Sequence, residues 1–67
     1  MDKDDPEGVI IEFVPQGRFV KVSAMHPPTL TEVSIVGDAA RGEAALKRAA
    51  LQKLRYVLAR KRRERRR

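Results

Sequence analysis

The hydrophobic pattern of this chain changes rhythm once, near residue 38. Before that point apolar residues come in short clusters; after it they recur every third or fourth position. Gly8 to Val14 reads Gly-Val-Ile-Ile-Glu-Phe-Val, too short for a helix and rich in β-branched and aromatic side chains, which predicts a strand. Pro15-Gln16-Gly17 follows. Proline presets φ for a first corner and glycine can take a left-handed position, so the expected link is a type I turn with a bulge between antiparallel strands. Arg18 to Met25 is the second strand, ended by His26-Pro27-Pro28-Thr29, because proline cannot donate to a ladder. Thr31 to Val36 is the third, ended by Gly37.

Beyond Gly37 the composition turns to Ala, Leu, Lys, Arg and Glu, the strong helix formers. Asp38 is placed to cap, since its carboxylate can accept from the free N–H groups of a first turn. Gly42 weakens that turn and sets the helix start at Glu43. Leu46, Ala50, Leu54, Val57 and Leu58 share one stripe, widened by Leu51. No proline stops the helix, which is expected to pass Arg60 and fray where like charges repel at i and i+4. The fold expected is α+β: a three-stranded antiparallel sheet followed by one long C-terminal helix, βββα. Residues 1–7 form a disordered acidic N-terminus, 8–60 the domain and 61–67 a basic frayed tail.

Strand alternation puts Val9, Ile11 and Phe13 on one face and Ile10, Glu12 and Val14 on the other. A single helix covers one face only. The other keeps Ile10, Val14, Val36 and either Phe19 or the Val20/Val22 pair, and such apolar patches mark interfaces. A helix over residues 39 to 60 is about 33 Å long, against about 23 Å for a seven-residue strand. Val57 and Leu58 are therefore expected to need another surface, and a homodimer supplies it. The His26-Pro27 and Pro27-Pro28 steps favour extended geometry. A straight connector there would let the third strand and the helix exchange between chains, a second dimer mode behind a side-by-side one.

Sixty-seven residues allow one domain, which buries only roughly 60% of its unfolded surface. There is no cysteine for a disulfide or a thiolate metal site, and the single histidine, His26, builds no metal site alone. No cofactor is expected. The acidic start and the lack of a long apolar run point to a cytoplasmic protein without a membrane role.

No catalytic constellation stands out, and the chain is read as non-enzymatic. Ser23 and Ser34 sit mid-strand without a triad partner. Glu12 and Glu32 could face one another as an acid/base pair but read better as two solvated carboxylates. His26 reads as a loop residue.

Charge changes the picture more. The net +6 is divided: residues 1–37 hold three basic and six acidic residues, giving −3, and residues 38–67 hold twelve and three, giving +9. The run Arg60, Lys61, Arg62, Arg63, Arg65, Arg66 and Arg67, broken only by Glu64, is a candidate polyanion site, with Lys53 and Arg55 as helix-borne contributors. No aromatic platform for single-stranded nucleic acid accompanies it. The preferred reading is a small homodimeric interaction module with an unknown protein partner. The rival is nonspecific binding of RNA or DNA through the arginine-rich end.

The segments Glu12 to Ala24, Thr31 to Asp38 and Ala44 to Ala50 resemble a family of very short bacterial proteins of unknown function, mainly alphaproteobacterial. The resemblance covers most of residues 9 to 60 and implies a single ordered unit of a bacterial cytoplasm. It brings no activity, ligand or site residue.

Overall fold

A computed structural model describes residues 8–65. Strands β1 (Ile10–Gln16), β2 (Phe19–His26) and β3 (Thr31–Asp38) form an antiparallel sheet in the order β1-β2-β3, followed by one helix, α1 (Glu43–Arg65). This is the expected βββα arrangement, an α+β fold. The expected disorder of residues 1–7 lies outside the described residues.

Two links differ from the sequence reading. The β1–β2 loop is only Gly17 and Arg18, with Gln16 opposite Phe19 and Pro15 inside β1 opposite Val20. Gly17 has φ 63° and Arg18 has no positive φ, the pattern of a type II′ turn, whose twist matches paired strands better than type I. Pro15 is tolerated because β1 is an edge strand. The pair beside a two-residue loop is hydrogen-bonded and the next is not, so the Pro15 nitrogen faces the outer edge.

The β2–β3 link is a tight reversal, not a straight connector. Pro27–Thr29 form one 3-10 turn, the Leu30 N–H donates to Pro27 O at 3.1 Å, and Leu30 adopts a left-handed φ of 55°. The fixed φ of proline suits the opening positions of a helical turn as well as extended chain, and both prolines occupy those positions. β3 then pairs with β2 of its own chain, Val22 opposite Ile35 and Ala24 opposite Val33.

Asp38 caps as expected, its Oδ1 accepting from the Ala40 N–H at 2.8 Å, but the turn it caps is a short 3-10 piece, Ala39–Arg41. Gly42, at φ 87°, separates that piece from α1. The helix runs back along β3 over β2 and β3 and leaves β1 to one side. The core joins Val22, Ala24 and Val33 of the sheet to Leu46, Ala50 and Leu54 of the helix. Close approach at the start of α1 depends on Gly37, where a Cβ would overlap Leu46 Cδ2.

Val57 and Leu58 pack against this core in their own chain, so they need no second one. The length that matters is the apolar stripe, not the whole helix. Leu46 to Leu58 spans about 18 Å, less than the roughly 26 Å of an eight-residue strand. What overruns the sheet is the cationic end. The helix passes Arg60, as expected. It continues to Arg65, supported by an exposed Arg60–Glu64 ion pair at 3.6 Å and by Lys61, whose Nζ reaches Thr31.

The outer face of the sheet keeps Ile10, Val14, Phe19 and Val36 exposed, which settles the register question in favour of Phe19 over Val20 and Val22. Among the described residues no helix is long and apolar enough to cross a membrane.

Candidate functional site

The β2–β3 reversal folds onto the last turns of α1, and a polar chain joins them. The His26 ring is 2.8 Å, through Nδ1, from Thr29 Oγ1. Thr29 Oγ1 donates to Thr31 Oγ1 at 2.9 Å, and Lys61 Nζ donates to the same oxygen at 3.0 Å. Thr31 is 2% exposed, so these bonds satisfy a hydroxyl that burial would otherwise penalise. An ammonium has three N–H donors, so Lys61 can hold Thr31 and still offer donors outward. With Nδ1 engaged, Nε2 is the His26 nitrogen left for a ligand.

Beside this chain lies a cleft of about 460 Å³, lined by His26, Thr29, Arg55, Leu58, Lys61, Arg62 and Arg65. Helical periodicity explains the helix set: residues 55, 58, 62 and 65 fall three or four apart and share one flank of the apolar stripe. Among the described lining residues four are cations and none is a carboxylate. Such a wall attracts anions, and its arginines can make forked contacts to phosphate oxygens.

Of the basic residues expected to bind polyanions, the fold brings Lys61, Arg62 and Arg65 together here and adds Arg55. It diverts others. Arg60 pairs with Glu64, and Arg63 falls on the helix face away from the cleft. Arg66 and Arg67 lie outside the described residues. Lys53 donates to Ser34 O at 2.8 Å, on the opposite flank of the helix. His26 and Thr29 were not among the candidates; the available signal was a lone histidine next to a turn that could fold back.

Glu12 and Glu32 stand on the two edge strands with β2 between them, and so do not form a pair. Among the described residues no group of three or more His, Asp or Glu could hold a metal.

Fold and site together define a small βββα module with a cationic cleft at one end of its helix. The chain belongs to the family described as Domain of unknown function (DUF6898), whose model matches residues 6–61. That stretch contains the whole sheet, Arg55 and Lys61; Arg62 and Arg65 lie beyond it. No curated protein and no solved structure matches the chain.

Proposed function

We propose that this protein is a non-enzymatic interaction module that binds phosphate polyanions, nucleic acid foremost, through the cleft at the end of α1. The observation that carries the reading is the convergence of Arg55, Lys61, Arg62 and Arg65 on one wall of the cleft. Contacts of arginine and lysine to backbone phosphates carry no sequence information, so binding is without sequence preference. The bacterial cytoplasm is the compartment this reading calls for.

The test is fluorescence anisotropy with labelled RNA and duplex DNA across a salt series. On duplex DNA the slope of log K against log salt is about −0.9 per phosphate contact. The double change Arg62→Ala, Arg65→Ala should flatten that slope by about 2 while circular dichroism stays the same. Affinity indifferent to salt, or undiminished in the double variant, rejects the cleft.

Self-association is a second reading. It is supported by β1, which the helix leaves to one side, and whose Ile11 and Phe13, with neighbouring Val9, are only half-buried. Homodimerisation would then present two clefts to one polymer.

A further inference from the structure

The two edges of the sheet are not equivalent. On β3 the outward backbone groups belong to residues 32, 34, 36 and 38, and Lys53 already occupies the Ser34 carbonyl. On β1 the pairing with β2 turns the N–H and C=O groups of Ile11 and Phe13 outward, and Val9, one residue before the strand, continues that alternation. Pro15 shares that orientation but has no N–H, so the edge is blunted at the turn end and open over Val9 to Phe13. The side chains of the same three residues form the half-buried inner rim next to the helix.

We infer that this edge pairs with the β1 edge of a second copy of the chain, antiparallel about a two-fold axis at Ile11. The proposal rests on the self-association reading and adds the surface and its register. In this register Ile11 lies opposite the partner's Ile11, and Val9 lies opposite the partner's Phe13. Every outward N–H finds a carbonyl, and Pro15 stays outside the ladder. On the outer face Glu12 lies opposite the partner's Ile10.

The neighbouring register, centred on residue 12, is worse on two counts. It sets Glu12 directly opposite the partner's Glu12, and like charges directly opposite are destabilising. It also brings Pro15 against the partner's Val9, where an N–H is required. The result of the favoured register is a continuous six-stranded sheet with both helices on one face, antiparallel, and a cationic cleft at each end.

The chain has no cysteine, so introduced thiols report the register without background. In a hydrogen-bonded antiparallel pair the Cα atoms are about 5.5 Å apart, within the span of about 4.4–6.8 Å that a disulfide bridges. Diagonal neighbours at about 7–8 Å fall outside it. Under mild oxidation Ile11→Cys should give a covalent dimer and Glu12→Cys should not.

Chemical synthesis with an N-methyl group on the Ile11 amide removes an outward donor and leaves every β1–β2 bond in place. Sedimentation at about 100 µM should show the unmodified protein as a dimer and the methylated protein as a folded monomer. A monomeric unmodified protein overturns both self-association and the edge. A methylated protein that stays dimeric, or crosslinking by Glu12→Cys rather than Ile11→Cys, overturns the edge and leaves another dimer. If methylation unfolds the chain, the two cysteine variants decide the question alone.

Discussion

The two halves of α1 both consist largely of strong helix formers but differ sharply in burial. In the first half Leu46, Ala50 and Leu54 are almost or fully buried and hold the sheet. In the second half, past Leu58, every described residue is exposed and five of the seven are cationic. The difference shows that a single helix can close a minimal core with its first turns because its last turns are free of that task. Stability and binding should therefore separate along its length, and substitutions can test where the division falls.

Leu54→Ala should have the largest effect. The side chain is fully buried mid-stripe, so its loss should cost about 2–5 kcal/mol, a large part of the stability of a small domain. Thermal melting checks it, and a small shift would mean that the first half is not the anchor. Gly37→Ala comes next. The new methyl group meets buried Leu46, and overpacking of this kind costs about 1–3 kcal/mol. A melt unchanged from the parent would show that the helix start can back away from the sheet.

Lys61→Met marks the boundary between the halves. Thr31 would keep its bond from Thr29, so the global cost should be about 1 kcal/mol. Amide exchange should accelerate selectively in the last turns, and uniform acceleration along α1 would reject a local role. The smallest stability effect is expected from Arg62→Glu, within about 0.5 kcal/mol because the residue is exposed. Polyanion binding should nevertheless fall sharply in the anisotropy assay. A variant that loses stability and keeps binding would reverse the assignment of the two halves.

The parts of this architecture that were legible in the sequence are those with local causes. Short clusters rich in β-branched and aromatic residues marked the strands, the stripe from Leu46 to Leu58 marked the buried helix face, and Gly42 marked the start at Glu43. The turn after β1 was not legible. Pro15 and Gly17 suit more than one turn type, and pairing with β2 decided between them. The Pro-Pro reversal was misread because a proline φ serves extended chain and a helical first turn alike. The cleft was half legible. Lys61, Arg62 and Arg65 stood in the basic run, but only tertiary packing separates them from Arg60 and Arg63 and adds His26, Thr29 and Arg55.

The bond from Lys53 Nζ to Ser34 O has a consequence for behaviour in concentrated solution. It sets the valence of the sheet. A sheet with two free edges is a divalent monomer, and divalent units grow into chains without a natural end. With the Ser34 carbonyl of β3 occupied by its own helix, the proposed β1 pairing would end growth after a single addition. Lys53→Ala, which removes the stopper, should shift the protein from a species of finite size toward concentration-dependent turbidity.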